Sequence, residues 1–496
     1  MIPQKQLSLE DIFQDCQEIY ESDKPQFLSL LESHIHLDEL IPDSFYKHYY
    51  SHTGRPRRYP LSAMLWALII QRIFSIPSDV LLLTFLHYSR HLRRFCGFDK
   101  IPDSSKITRF KQDFLDDLNV FFDRLVDVTE PICQQIDPVK ASMTIYDSSG
   151  IEAYVRENNP KFANTIIRQL KAWASAKGLD PSFDPYKAAY SRMPSHAEAE
   201  PQVKQQYLNG HFGYYYMTGL FTNGLGILRA IEFYDEDYFR SHPEIGRSKK
   251  TDSPDEDKSV SDSRLLMPGL KAFFKRHPLI DPGVFLGDAS FDAIEIYKEL
   301  LSGDTFGTFP DGSGRHFSRA YIPLNSRASS EEGRDYTLDS NGIPCCPNDP
   351  SLPMKEEGNT SHLRCGIPTR KFVCPKMNWK KGSDGKYHRK CHCEAPCTDS
   401  KSGRMIYIYP EKDLRLYPGT IRGTDEWKDT YKTRTTVERS INHMKDCFCL
   451  EDRKTRNPKT LHADLLLSGI TQLITVLLAD KIHHHEYIRS LKPLIA

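Results

Sequence analysis

The 496-residue sequence lacks a net charge: 66 Lys and Arg balance 66 Asp and Glu. A chain-wide polycation is excluded, so any contact with a polyanion falls to a local patch. The charged-then-apolar leader of a secreted protein is also missing, so no export signal is expected. No uninterrupted apolar run reaches the length of about 20 residues that a bilayer requires. The most apolar stretches, "LSAMLWALII" and "LLLSGITQLITVLLA", read instead as core or oligomer helices. Twelve cysteines are present but none form a C-x2-C pair. Without an export signal they argue against a disulfide scaffold and leave reduced thiols or a metal site.

What is present is enough chain for two or three domains. Residues 1–135 read as helical, through "LSAMLWALIIQRIF", "SDVLLLTFLHYSRHLRRFCGF" and "PDSSKITRFKQDFLDDLNVFFDRLVDV". "GRPRRYP" places Arg55, Arg57 and Arg58 just before the first of these helices. Short helices with basic joints suit a helix-turn-helix-like DNA-binding domain, and they equally suit a plain helical bundle. From residue 140 to 310 the pattern turns to α/β. "SMTIYDSSG" alternates, so Met143, Ile145 and Asp147 share a strand face. "FANTIIRQLKAWASAKG" reads as a helix, and two β-rich runs flank the hairpin signal Asn223-Gly224. "RSKKTDSPDEDKSVSDS" reads as a solvated linker and "SRLLMPGLKAFFKRH" as a helix. "GVFLGDASFDAIEIYKELL" predicts a strand, with Val284, Leu286 and Asp288 on one face, and then a helix; "TFGTFP" predicts one more strand. Residues 311–424 form a loop-rich, cysteine-rich basic insertion, and 425–490 return to helix.

The helix expected around "YKTRTTVERSINHMK" is the most informative stretch. At about 100° per residue, Tyr431, Arg434, Glu438 and Lys445 fall within a stripe about 60° wide. Val437, Ile441, Met444 and Phe448 form an apolar stripe beside it. Thr424 and Asp425 supply a cap and an acidic first turn. An acid between two cations on the border of a buried face suits phosphate handling, and it also suits a solvated face with Glu–Arg pairing. Asp147 and Asp288 each end a β-rich run, and each taken alone reads as a turn or cap aspartate. With Glu438 they make three acids on elements able to converge. Three carboxylates suit a pair of Mg²⁺ ions, which take oxygen ligands and can activate a nucleophile and stabilise a leaving oxygen at a phosphodiester.

The spacing Tyr431-x2-Arg434-x3-Glu438-x6-Lys445 resembles the Y–R–E–K signature of bacterial insertion-sequence transposases of the DDE type. "TIYDSSG" and "LGDASFDA" resemble their two aspartate blocks, and "RRYPLSAML" with "SSKITRFKQDF" resembles their helical N-terminal domain. The resemblance covers residues 40 to 480. It implies a ribonuclease-H-like mixed sheet with helices, cleavage of double-stranded DNA at terminal inverted repeats, and joining of a 3′-hydroxyl to target DNA. It further implies Asp147 shared by two Mg²⁺ ions (Mn²⁺ a substitute), Asp288 and Glu438 holding one each, and Tyr431, Arg434 and Lys445 on the terminal DNA. A homo-oligomer on DNA, in the bacterial cytoplasm at the nucleoid, is expected with it. A metal-dependent nuclease or resolvase on the same fold, and a non-catalytic DNA-binding descendant, are the alternatives.

The insertion holds Cys345, Cys346, Cys365, Cys374, Cys391, Cys393 and Cys397. Close thiolates suit tetrahedral Zn²⁺, through Cys391, Cys393, Cys397 and an upstream thiol; unliganded reduced thiols are the other reading. From Arg364 to Arg404 there are eleven Lys or Arg and three Asp or Glu, a composition for contact with a DNA backbone or for a soluble loop. Cys447 and Cys449 read as packing residues, and His483–His485 as an exposed tail.

Overall fold

The computed structural model describes residues 24–51, 56–178, 183–208, 211–245, 262–325, 335–357, 363–364, 367–409, 413–452 and 454–495, with residues 10, 13 and 14. Six strands build one mixed sheet: β1 (Met143–Glu152), β2 (Lys204–Leu208), β3 (His211–Thr222), β4 (Leu228–Phe233), β5 (Val284–Leu286) and β6 (Arg319–Tyr321). β1 is central. Its first residues, Met143, Thr144, Ile145 and Tyr146, are all buried, so both faces are covered there. β5 pairs parallel with β1, and β6 parallel with β5. On its other side β1 pairs antiparallel with β3. The far edge of β3 is shared: β2 pairs with its first half and β4 with its second.

The expected hairpin joins β3 to β4, through a longer turn than two residues. Asn223 Oδ1 accepts from the Leu225 and Ile227 amides, and Gly226 takes a positive φ of 78°. Only a residue without Cβ tolerates that φ cheaply. "TFGTFP" is not a strand; a single bridge joins Thr308 to Gly314. Gly307 at φ 101° and Gly312 at φ 83° turn the chain back before a ladder can form, and the next strand is Arg319–Tyr321. The mixed-charge linker lies largely outside the described residues.

The helices at the two ends of the chain share one hydrophobic core with the sheet. Helix Pro458–Lys481 packs on helices Leu61–Ile73, Ser104–Asp113 and Leu115–Ile136 and on β4. By length and composition it could cross a membrane, being longer than the apolar run that marks it, but 94% of its most apolar window is buried in the protein. That burial makes it a core helix. A buried charge network ties the ends together. Asp464 accepts from Arg72 at 2.7 Å and pairs with Lys111 at 2.8 Å, and Lys111 also reaches Asp79 at 2.8 Å. Beyond β6 the described insertion consists of two- and three-stranded sheets around small apolar clusters.

Candidate active site

The parallel register sets two acids side by side. Ile145 on β1 pairs with Leu286 on β5, and Asp147 and Asp288 each follow two residues later. Period-2 alternation carries both onto the same face, just past the last parallel pair. β1 itself continues to Glu152, so Asp147 lies within its strand and Asp288 beyond the end of its own. Asp288 also caps the short turn Ala289–Phe291, accepting from the Ser290 amide at 2.8 Å.

Glu438 arrives on helix Thr435–Asn442. That helix buries Thr436, Val437, Ser440 and Ile441, and Ser440 Oγ donates to the Gly226 carbonyl at 2.6 Å. A Cβ on Gly226 would meet Ser440 Oγ at 3.2 Å, so the hairpin glycine lets the helix dock closely. The predicted single helix is in fact two. Helix Asp425–Lys432, capped by Thr424, ends before Thr433 and Arg434, where the Arg434 amide bonds the Tyr431 carbonyl three residues back. This tighter turn places Arg434 between the acids. Its guanidinium pairs with Glu438, and its Nη2 stands 3.4 Å from Asp147 Oδ2. Tyr431 stacks on Trp427 with ring centroids 4.7 Å apart.

The charges of these groups act on one another. Burial pushes the Asp147 carboxyl up to about 6; Arg434 opposes that rise, and Asp288 and Glu438 add to it. Burial also raises the Tyr431 phenol, with Arg434 opposing and all three acids reinforcing. A fourth acid, Asp262 at the start of helix Asp262–Arg276, accepts from the Ser148 hydroxyl and is raised by burial and by Asp288. Sequence reasoning missed it, because an aspartate in a first helical turn is ordinary.

Lys445 departs from the expected stripe. It sits in the π-helical turn His443–Cys447, whose wider winding breaks the 100° progression. Its Nζ donates to the Gly150 carbonyl at 2.7 Å and pairs with Glu451 at 2.9 Å. It therefore anchors further along β1, away from the ion pairs of Arg434. Cys449 packs as expected, with Sγ 3.2 Å from the Ser75 carbonyl. In the histidine tail, His484 pairs with Glu486 and His485 with Asp480.

Among the N-terminal arginines, Arg55 lies outside the described residues. Arg57 donates to the Tyr49 carbonyl at 3.2 Å and lies over the Tyr49 and Phe114 rings. Arg57 and Arg58 line a groove of about 600 Å³ with Lys100, Lys106 and Arg109, and with Asp103 and Asp113. Cys391, Cys393 and Cys397 line a second cavity, in the insertion.

Among the described residues, no three His, Cys, Asp or Glu side chains already stand together as a metal site. The donor set at the acids nevertheless fits a hard dication. Asp147, Asp288 and Glu438 are oxygen donors whose mutual repulsion such a cation relieves. Arg434 partly fills that role, and it would have to leave Glu438 and Asp147 for a dication to take it.

Residues 16–113 match a family model described as Transposase domain (DUF772). No curated protein matches the chain. The match supports a transposase, a DNA-binding enzyme that cuts or transfers strands, and it ends before β1.

Proposed function

We propose that this chain is a DDE-type DNA transposase with a ribonuclease-H-like core, cutting insertion-sequence ends and joining them to target DNA. The observation that carries this reading is the approach of Asp147 and Glu438 to one guanidinium, that of Arg434, with Asp288 two residues past the parallel pair on the neighbouring strand. The sheet supports it. Three antiparallel strands, β4, β3 and β1, continue into parallel β5 and β6, a mixed order compatible with the ribonuclease-H-like core that the resemblance implies.

Asp147, Asp288 and Glu438 would hold Mg²⁺, with Mn²⁺ as a substitute. The chemistry supplied there is activation of an attacking oxygen and stabilisation of a leaving one. The chain's own groups do the rest. Arg434 is a charge-assisted donor for a phosphate drawn to the acids, and such a phosphate competes for the guanidinium with Glu438. The stacked Tyr431 and Trp427 rings offer a flat surface to a base or sugar. The N-terminal groove of Arg57, Arg58, Lys100, Lys106 and Arg109 suits phosphates of flanking DNA.

The test incubates the full chain with Mg²⁺, a DNA fragment carrying the element's terminal repeats, and a target plasmid. Cleavage at the repeat ends followed by covalent joining to the plasmid is the expected result. Cleavage without joined product would replace the transposase by a nuclease or resolvase. Sequence-specific binding without cleavage would leave a DNA-binding protein.

A further inference from the structure

Five cysteines of the insertion line one cavity of about 290 Å³: Cys346, Cys374, Cys391, Cys393 and Cys397. They come from three separate stretches of chain, so their meeting is a product of folding. Cys374 precedes the hairpin of Met377–Lys381 and Tyr387–Cys391, and the hairpin returns the chain to it. The Cys374 amide bonds the Arg404 carbonyl, and the Cys391 amide bonds the Lys401 carbonyl. Residues 401–404 are thereby clamped across both cysteines. Gly403 closes this clamp at φ 76°; a Cβ there would meet Cys374 Cβ at 3.1 Å and Cys391 Cβ at 3.2 Å.

The Cys374 and Cys391 sulfurs are 3.6 Å apart. A disulfide needs about 2.05 Å. A tetrahedral zinc with Zn–S bonds of about 2.3 Å has S···S edges of about 3.8 Å. The pair therefore has the spacing of two thiolates on one metal. We propose that this cavity is a structural Zn²⁺ site held by four of the five thiols, Cys374, Cys391, Cys393 and Cys397. Among the described residues no three thiols already converge at ligand spacing. Binding draws in Cys393 and Cys397, which lie half-buried on the loop after the hairpin. Thiolates select zinc over the magnesium suited to the acids.

The fold gives the metal a task. The insertion's apolar clusters are small: one gathers Met354, Phe372, Ile406, Ile408, Leu416 and Tyr417, another Val373, Cys374 and Met377. Short sheets with so little core need a cross-link. A metal at the base of the hairpin would fix the strands that expose Trp379, Lys380, Tyr387 and Lys390. This inference stands apart from the acid site and survives the failure of the transposase reading.

The test purifies the full chain under reducing conditions without chelator and measures bound metal by elemental analysis. About one zinc per chain is expected. Replacement by Co²⁺ should give the tetrahedral absorption bands and a thiolate-to-cobalt charge-transfer band. Cys374→Ser with Cys397→Ser should bring zinc close to zero, while Cys447→Ser and Asp147→Asn keep it. A metal-free wild-type chain with freely reactive thiols, a Co²⁺ complex without thiolate bands, or a double variant that retains its zinc would each overturn the proposal.

Discussion

Asp147 within β1 and Asp288 just past the end of parallel β5 hold matching positions, each two residues beyond the Ile145–Leu286 pair. This relation gives the first prediction. Asp147→Asn, Asp288→Asn and Glu438→Gln should each abolish Mg²⁺-dependent cleavage while leaving DNA affinity near wild type, because each removes an oxygen ligand and none removes a cation. Full cleavage by any one variant would remove that residue from the site. Asp147→Asn should also stabilise the chain in the presence of a chelator. A buried carboxyl raised to about 6 is held in its charged form at a cost at neutral pH.

Arg434 and Lys445, paired on the expected helical stripe, should now separate in experiment. Arg434→Ala should weaken binding of terminal DNA by roughly 1.5–3 kcal/mol, the usual worth of a charge-assisted hydrogen bond. The defect should shrink at high salt. Lys445 is tied to Gly150 and Glu451, so Lys445→Ala should lower the melting temperature as well as any DNA affinity. Tyr431→Phe keeps the stack on Trp427 and tests the hydroxyl alone. Unchanged affinity and salt slope for Arg434→Ala would reduce the stripe to helix surface.

The N-terminal groove makes a separate claim. Arg58→Ala, Lys106→Ala and Arg109→Ala together should flatten the dependence of log affinity on log salt by about 0.9 for each DNA phosphate that the variant no longer neutralises. Circular dichroism of the variant guards against unfolding. An unchanged slope would place the DNA-binding surface elsewhere.

What could be read from sequence, and what could not, divides along a physical line. Alternation placed Asp147 on a strand face and Asp288 in register just past its own strand, because a period of 2 survives any packing context. The pairing of Arg434 with Glu438 was legible as two opposite charges four residues apart. The turn at Thr433–Arg434 and the π-turn at His443–Cys447 were invisible, because an ideal 3.6-residue wheel assumes unbroken winding. Both matter: the first aims Arg434 at the acids and the second withdraws Lys445. Asp262 has no local signature, and it enters only through Ser148 and Asp288. The sharing of one core by Leu61–Ile73 and Pro458–Lys481 depends on packing between the two ends of the chain, which no window in a sequence contains.

That shared core can be probed through Asp464. It lies buried between Arg72 and Lys111, both buried as well. Asp464→Ala leaves two buried cations short of a partner, and should destabilise the chain by about 3–5 kcal/mol. Denaturant midpoints at fixed slope would show it. A loss below about 1 kcal/mol would mean that Asp79 and the nearby carbonyls already satisfy both cations.

The last prediction concerns acid. His462, on the same long helix, stacks on Phe233 with ring centroids 4.9 Å apart and planes at 16°. Burial holds its imidazole down to about 4. In the unfolded chain it returns to about 6.5. Above pH 7 both states carry it neutral, and it has no effect on the slope of stability. Between 6.5 and 4 the unfolded chain takes up a proton that the folded chain refuses, so stability falls as pH falls through that window. The full loss is at most about 3 kcal/mol, less what the partly exposed residue recovers from water. His462→Phe keeps a flat ring against Phe233 and cannot titrate. Urea midpoints of the two proteins should run parallel from pH 7 to 9 and diverge below 6.5, with the variant the more acid-resistant. Parallel curves down to pH 4 would show that His462 protonates without disturbing its packing, and would assign acid sensitivity to other groups.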